Sequence, residues 1–278
     1  MKLDKIGIWS EIKLDIIKEY SNAFTKIMKN MSWCKGYVYI DAFAGAGVHI
    51  RRKTGEFILG SPLNALEIDN PFTEYHYIDV DKKKTEFLSE LIGDRTDVNI
   101  YQEDCKKILT EKILPSLSYE SYKSALCILD PYGLHLHWET IMEAAKLSTT
   151  EIFLNFPLMD MNRNVLHKEL FSAESDQIER MNRFCGSLEW QEILYKEDKQ
   201  MGLFGDTYLK KIVNSNIKLG EWFKKERLQK GAGFQFVPEP LLMRNSKGGP
   251  LFFLFFATYN ETANKIVNDI FKKYSRYL

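Results

Sequence analysis

The chain has no net charge to speak of: 38 Lys and Arg balance 38 Asp and Glu over 278 residues. No overall field draws in polyanions, so any contact with nucleic acid has to come from local patches. Cysteine is scarce. Cys34, Cys105, Cys127 and Cys185 show neither the paired C-x-x-C spacing of a zinc site nor the density of a disulfide scaffold, which suits a reducing cytoplasm. Long apolar runs are missing too: Leu251 to Ala257 is far too short to span a bilayer, and the charged N-terminus lacks the apolar stretch of a signal peptide. A soluble, cytoplasmic protein without membrane contact is expected. His135-Leu-His137 could form a metal pair on one face of a strand, but no third ligand has suitable spacing, so no metal is expected. There is no internal repeat and no low-complexity tract.

What is present is the composition of a packed globular protein, 45% hydrophobic and 27% charged. At this mass about 74% of the unfolded chain's surface is buried on folding, enough for one large core or a core with an appendage. Residues 8–31 carry Ile8, Ile12, Ile16, Tyr20, Phe24, Ile27 and Met31 at helical spacing, a leader helix with one apolar face. A strand over Gly36–Asp41 then runs into the glycine turn Ala-Phe-Ala-Gly45-Ala-Gly47, followed by a long polar loop, His49 to Gly60, before Ser61 and Pro62 open a short helix. Strand and helix alternate from there: strands at Tyr75–Asp79, from Val98, at Ala125–Asp130 and at Glu151–Pro157, with helices over 82–92, 106–117 and 139–147. Such alternation predicts a parallel sheet with helices on both faces and ligands beyond the carboxyl ends of the strands. Residues 160–232 are polar and helix-patterned without a clear strand. Two apolar runs, Phe234–Arg244 and Leu251–Tyr259, flank the turn Asn245-Ser-Lys-Gly-Gly-Pro250 and predict a hairpin, with a last helix over Thr262–Tyr274.

Four successive predicted strands end in acids: Asp41 with its Gly45 and Gly47 turn, Asp79-Val80-Asp81, Asp104-Cys105 and Asp130-Pro131-Tyr132-Gly133. A lone G-x-G is a weak signal, and an acid at a strand end often merely caps the next helix. Four in register are harder to dismiss, because a parallel sheet brings all four tips to one crevice. Glycines let backbone approach a ligand, a carboxylate after the second strand can accept both hydroxyls of a ribose, and one after the third can accept an adenine amine. These are the parts of an adenosine site. A dinucleotide would need G-x-G-x-x-G opening a helix whose amides hold the pyrophosphate. Here Ile50 stands at the third glycine position and the helix starts a dozen residues later. S-adenosylmethionine carries no phosphate and suits the looser D-x-F-x-G-x-G turn, and a terminal antiparallel hairpin is the usual ending of its fold.

Methyl transfer makes Asp130-Pro131-Tyr132-Gly133 the catalytic segment. An amine conjugated to a base ring is a poor nucleophile, and hydrogen bonds from it to a carboxylate and a backbone carbonyl would localise its lone pair. The aromatic ring can stack on an extruded base. The plainer alternative is a turn after a strand.

Several segments together resemble the three-Cys-motif partner proteins, TcmP: Asp41-Ala-Phe-Ala-Gly-Ala-Gly47, Gly60-Ser-Pro-Leu-Asn-Ala-Leu-Glu67, Tyr77-Ile-Asp-Val-Asp81, Leu129-Asp-Pro-Tyr-Gly133 with Trp138-Glu139, Asn155-Phe-Pro157 with Asn162-Arg163, and Phe184-Cys-Gly-Ser-Leu-Glu-Trp190. The likeness runs from the Trp9 and Lys13 helix to Phe252-Phe-Leu-Phe-Phe-Ala257. It implies a methyltransferase-like protein and, as a partner, the three-cysteine protein for which the family is named; it does not supply the substrate. The catalytic segment is also similar to the Asp-Pro-Pro-Tyr of adenine amino-methyltransferases, one proline short, and to the Asp-Pro-Phe/Tyr-Gly of tRNA guanine dimethyltransferases. Both act on exocyclic amines.

The resulting expectation is an α/β, Rossmann-like Class I methyltransferase sheet, mostly parallel with a terminal antiparallel hairpin, plus a helical insertion. Its parts are a helical leader (1–35), the cofactor-binding half of the core (36–158), the insertion for substrate recognition (159–232) and the closing hairpin and helix (233–278). Asp41 and the Phe43, Ala44, Gly45 and Gly47 loop would hold the methionine part of S-adenosylmethionine, Asp79 and Val80 the ribose side, and Asp104 with Cys105 the adenine. Asp130, Pro131, Tyr132 and Gly133 would act on an amine of a nucleic-acid base. Arg51, Arg52 and Lys53 in the long loop, and Arg163 after the fifth strand, would grip phosphates; Lys224, Lys225, Arg227 and Lys230 are a weaker cluster, interrupted by Glu221 and Glu226. Trp138, Trp190 and Trp222 read as packing residues. Two other functions fit the same residues: a catalytically inactive methyltransferase-like module that binds nucleic acid or a protein within a two-gene system, and transfer to a small-molecule or protein amine. Oligomeric state is not legible.

Overall fold

The structure is a computed structural model that describes residues 3–198 and 208–277. Residues 199–207, within the span read as a helical insertion, lie outside it. A short strand β1 (Lys5–Ile6) precedes the leader helix α1 (Ile8–Lys29). Then follow β2 (Gly36–Asp41), β3 (Val48–Arg51), β4 (Phe57–Leu59), α2 (Ser61–Leu66), β5 (Glu74–Asp79), α3 (Lys82–Ile92), β6 (Val98–Gln102) and α4 (Cys105–Ile108). The chain continues through β7 (Lys123–Leu129), α5 (Trp138–Ala145), β8 (Thr150–Phe156), α6 (Leu158–Asn164), α7 (Ser175–Cys185) and α8 (Glu189–Leu194). A small hairpin, β9 (Tyr195–Asp198) and β10 (Tyr208–Lys211), leads to α9 (Ser215–Trp222), β11 (Leu241–Arg244), β12 (Pro250–Ala257) and α10 (Glu261–Tyr274).

Seven strands form the central sheet in the order β6-β5-β2-β7-β8-β12-β11. The contacts from β6 through β8 are parallel, and β12 runs antiparallel to both β8 and β11. A parallel sheet whose order reverses beside its first long strand, closed by one antiparallel strand, is the Rossmann-like Class I methyltransferase sheet expected from the alternation. The central strands have little exposed surface on either face, which is why β2, β5, β7 and β8 read as nearly continuous apolar and aromatic runs.

The alternation of side chains sorts the core in two. Val38, Ile40, Cys127, Leu129, Ile152 and Leu154 face α5 and the helices after β8, and Tyr39, Tyr75, Tyr77, Ile128 and Phe153 face α1 and α10. α1 sits on the second face through Ile16, Ile17, Tyr20, Phe24 and Met28, each worth roughly 1.5–3 kcal/mol when fully buried. The buried face is turned from the one the spacing suggested: Ile8 and Met31 are exposed, and Lys13 and Leu14 are buried instead. The reason is that the helix packs on a flat aromatic sheet surface through positions 13, 16, 17, 20, 24 and 28.

Four further differences concern segments with weak local patterns. The stretch His49 to Gly60 is no open loop: β3 and β4 pair antiparallel, and β1 adds to β3 in parallel. Ser61 is the first helical residue of α2, with Gly60 at the cap and no side-chain cap bond. The hairpin's first strand covers only Leu241–Arg244, and Phe236 before it makes a single bridge to Thr258. Between β8 and β11 the described chain is mainly helical but includes β9 and β10, which pair over four residues.

Candidate active site at the strand tips

β2, β5 and β7 lie side by side in register, with Asp41 opposite Tyr77 on one side and Ile128 on the other. The turn after β2 is tied to both neighbours: the Ala42 amide donates to the Ile128 carbonyl at 3.0 Å, and the Ala44 amide to the Ile78 carbonyl at 2.9 Å. Gly45 and Gly47 both have positive φ, +62° and +74°, a conformation that costs a side-chain-bearing residue about 1 kcal/mol or more. Their surroundings differ. A Cβ on Gly47 would lie 2.5 Å from Leu88 Cδ1, so that glycine seats the loop on α3, whereas a Cβ on Gly45 would meet nothing within 4 Å. Gly45 is buried, yet no packing contact blocks a side chain there.

Asp79 braces this turn. Its Oδ2 accepts the Gly45 amide at 2.9 Å and its Oδ1 the Asp81 amide at 2.8 Å. Val80, next to it, is 68% exposed, an apolar face turned outward beside the crevice. Asp104 takes the local role that an acid at a strand end often has: its Oδ1 caps α4 by accepting the Lys106 and Lys107 amides at 3.0 and 3.3 Å. Cys105 is buried, and that burial pushes its thiol up to about 12.

Asp41 is fully buried. Its Oδ1 accepts the Phe43 amide at 3.2 Å, and its Oδ2 has no hydrogen-bond partner. Burial raises its carboxyl to about 7; the Phe43 amide, Lys13 and the nearby Ser61 hydroxyl, which makes no hydrogen bond to Oδ2, oppose the rise, and the charge of Asp130 adds to it. Two more orphaned buried atoms are His49 Nδ1, on β3, and Asn155 Oδ1, near the end of β8. Burial together with the charge of Lys13 lowers the pKa of His49. Buried polar atoms without partners are rare and costly, and here Asp41 and Asn155 lie close to the carboxyl ends of sheet strands.

Sequence reasoning did not find the partner of Asp130. The Lys13 ammonium, from the second turn of α1, forms an ion pair with Asp130 Oδ2 and lies 5.4 Å from the centroid of the Phe252 ring. Pro131 is buried, and Tyr132 is half exposed and held by its hydroxyl, which donates to Asp4 Oδ2 at 2.5 Å and accepts from Lys84 Nζ at 2.8 Å. Lys84 also pairs with Asp4 at 3.1 Å and lies 4.5 Å from the Tyr132 ring centroid. Gly133, at φ +54°, has Asp160 of α6 against its Cα: a Cβ there would lie 2.6 Å from Oδ2.

Beyond Tyr132 and Gly133 opens a polar cavity of about 370 Å³ lined also by His135, Asp160, Asn164, Gln177 and Arg180. The last four come from α6 and α7. Their only signal in the sequence is the polar patterning of that region.

The basic residues divide. Arg51 is engaged by Glu11, at 2.9 Å, and by Glu56; Arg52 donates to the Lys5 carbonyl at 3.3 Å, and Lys53 and Arg163 are exposed. In the weaker cluster, Lys224 pairs with Glu239 and Lys230 with Glu226. Arg227 closes the end of α7, donating to the Cys185 and Gly186 carbonyls at 2.7 and 2.9 Å while stacking 4.4 Å over Trp138. A Cβ on Gly186 would come within 2.2 Å of that same Trp138, so the Phe184–Trp190 segment is a packing device. Among the described residues no group of His, Cys, Asp or Glu is arranged to hold a metal ion, and no helix is long and apolar enough to cross a membrane.

No family model matches the chain, and no curated protein matches it. Among solved structures it is similar to a protein of Legionella pneumophila, at 11% identity over 95% of this chain and 92% of that one with a TM-score of 0.47. It is also similar to an S-adenosylmethionine-dependent methyltransferase of Leishmania major (10% identity, 87% and 72%, TM-score 0.38). A third is an S-adenosylmethionine-dependent methyltransferase of Mesorhizobium loti (9% identity, 84% and 95%, TM-score 0.36). These are distant likenesses of backbone course. The class is defined by the strand order and sense described above: this is a Class I methyltransferase fold.

Proposed function

We propose that the chain is an S-adenosylmethionine-dependent methyltransferase whose acceptor is an exocyclic amine of a nucleic-acid base. One observation carries the first half: at the carboxyl ends of the parallel strands a positive-φ glycine facing open space stands beside a buried carboxylate with an unpartnered oxygen. These residues fit the cofactor. Asp41 Oδ2 is a buried acceptor without a partner, suited to its ammonium, Gly45 lets it lie against backbone, and Asp79 and Val80 offer a carboxylate and an apolar face to its nucleoside. S-adenosylmethionine supplies a methyl group on a sulfonium, ready for transfer to a nucleophile.

The residues of the chain do the rest. Asp130 Oδ2 is occupied by Lys13, which leaves Oδ1 and the Pro131 carbonyl as acceptors for the two N–H groups of an amine. Lys13 holds the carboxylate in place, so that its free oxygen is presented to the acceptor. Tyr132 presents a half-exposed ring held in place through its hydroxyl. The cavity beside it offers amide, carboxylate and guanidinium groups, the set that reads base edges by hydrogen bonds. Lys53 and Arg163, exposed near this end, would contact phosphates.

The resemblance to the three-Cys-motif partner proteins supports the same reading and adds a three-cysteine protein as a partner. The competing function is an inactive module of a two-gene system. Methyl incorporation from labelled cofactor into bulk RNA and DNA, with and without Asp130→Ala, separates them. Transfer that depends on Asp130 supports the enzyme; cofactor binding with no transfer to any nucleic acid supports the module.

A further inference from the structure

At the other end of the sheet lies a cavity of about 420 Å³, within the range of small-ligand sites. Its lining includes the aromatic rings of Phe24, Trp33, Tyr119 and Tyr122, together with Glu151 and Thr258. Trp33, Tyr119 and Tyr122 are all well exposed, which is unusual for three large rings around one opening.

Glu151 is the second residue of β8 and 6% exposed, and among the described residues no cation is paired with it. Among the described residues its oxygens are held by two hydroxyls: Tyr20 donates to Oε2, and Thr258 donates to Oε1 at 3.1 Å. Burial raises its carboxyl to about 7, the two hydroxyls only partly countering the rise. No lysine or arginine is among the described residues that line the cavity. Lys35 lies 4.6 Å from the centroid of the Tyr122 ring but does not line it. A carboxylate oxygen has two lone-pair sites, and each oxygen of Glu151 uses one for a hydroxyl. Each oxygen therefore has capacity for one further donor. Two parallel N–H donors on a flat cation match that pair of acceptors, and aromatic walls favour a flat, positively charged body.

We propose that this cavity is a second ligand site, distinct from the strand-tip crevice, that takes a small planar organic cation bearing an amidinium-type pair of N–H donors, with Glu151 as its counter-charge. The buried carboxylate then gains the cationic partner it lacks among the described residues, and Trp33, Tyr119 and Tyr122 cover the faces of the bound group.

Benzamidine and benzamide are the probes: nearly the same shape, but the second is neutral and offers one carbonyl where the first has an N–H. Ligand-observed NMR and calorimetry on the whole protein should show saturable benzamidine binding, with benzamide at least about tenfold weaker. Glu151→Gln should remove the preference for benzamidine. Trp33→Ala, at an exposed ring that leaves the carboxylate in place, should weaken benzamidine binding with the melting temperature unchanged; it keeps the proposal open to refutation if Glu151→Gln does not fold. No saturable benzamidine binding, equal binding of the two probes, or benzamidine binding unaffected by Trp33→Ala would each overturn the proposal.

Discussion

Lys13 and Asp130, 117 residues apart in the chain, meet as an ion pair in which the lysine side chain is 9% exposed and the aspartate 29%. The first comes from a helix laid across the sheet and the second from the tip of β7. A lysine so deeply placed would cost several kcal/mol without its partner, and the pair thereby fixes α1 against the crevice.

Lys13→Met should therefore cost more than a surface lysine would. Breaking a fully buried pair costs about 3–5 kcal/mol, and the partial exposure of Asp130 brings the expectation down to about 1–2 kcal/mol. Urea denaturation of Lys13→Met, Asp130→Asn and the double variant checks this. The double variant should be less destabilised than the two singles added together; additive losses would show that the pair is not coupled. Methyl transfer should fall in Lys13→Met as well, since Asp130 loses the partner that holds it in place.

The two glycines of the first turn should separate packing from binding. Gly45→Ala meets open space, so it should cost only about 1 kcal/mol for its left-handed backbone, yet it puts a methyl group where the cofactor would lie. Gly47→Ala drives a methyl into Leu88 and should lower the melting temperature clearly more. Thermal melts and calorimetric titration with S-adenosylhomocysteine give the two readings. If Gly45→Ala binds like the parent, the turn is no cofactor cradle.

Asp41 should give the protein an inverse dependence on pH. Its folded-state carboxyl is raised to about 7, above the roughly 3.9 of an unfolded aspartate, so between those values the folded state holds a proton that the unfolded state has released. Its contribution to stability is thus fully present below about pH 4 and lost as pH rises through about 7. Asp41→Asn removes that loss: relative to the parent it should gain about 2–4 kcal/mol between about pH 5 and pH 8, while losing affinity for the cofactor's ammonium. Parallel denaturation curves for the two proteins across this range would contradict the assignment.

Tyr132 should act through its ring. Tyr132→Phe removes the hydrogen bonds with Asp4 and Lys84 but keeps the aromatic face, so turnover should fall only a few-fold, whereas Tyr132→Ala should lose about tenfold or more, the worth of one base–aromatic stack. Single-turnover rates with both variants decide; equal losses would place the function in the hydroxyl.

Much of this architecture is legible in the residue pattern because it is local. The apolar run from Gly36 to Asp41 and its counterparts at Tyr75, Ala125 and Glu151 form buried central strands, and Lys82 to Ile92 carries its helical periodicity from end to end. Short elements were missed where the pattern had too few positions to repeat: Phe57–Leu59 pairs with Val48–Arg51 although one is three residues long and the other begins on the glycine turn. In the site, the acids could be located but not their partners. Lys13 sits on a helix whose other buried positions are mostly apolar, and nothing in a spacing rule buries a lysine; the reason lies on β7. The Asp4–Lys84–Tyr132 contact joins three segments from different parts of the chain, and Asp160 beneath Gly133 depends on how α6 leaves the sheet. Asp104, by contrast, does what its neighbours alone could suggest, capping its own helix.

The central claim is that the strand-tip crevice holds S-adenosylmethionine, and the direct measurement is calorimetric titration of the purified protein with S-adenosylmethionine and S-adenosylhomocysteine, repeated on Asp79→Ala. The account predicts saturable binding of both to the parent and a loss of binding in the variant, whose turn has lost the carboxylate that orders Gly45. No binding to the parent, or binding that Asp79→Ala leaves unaltered, would contradict it.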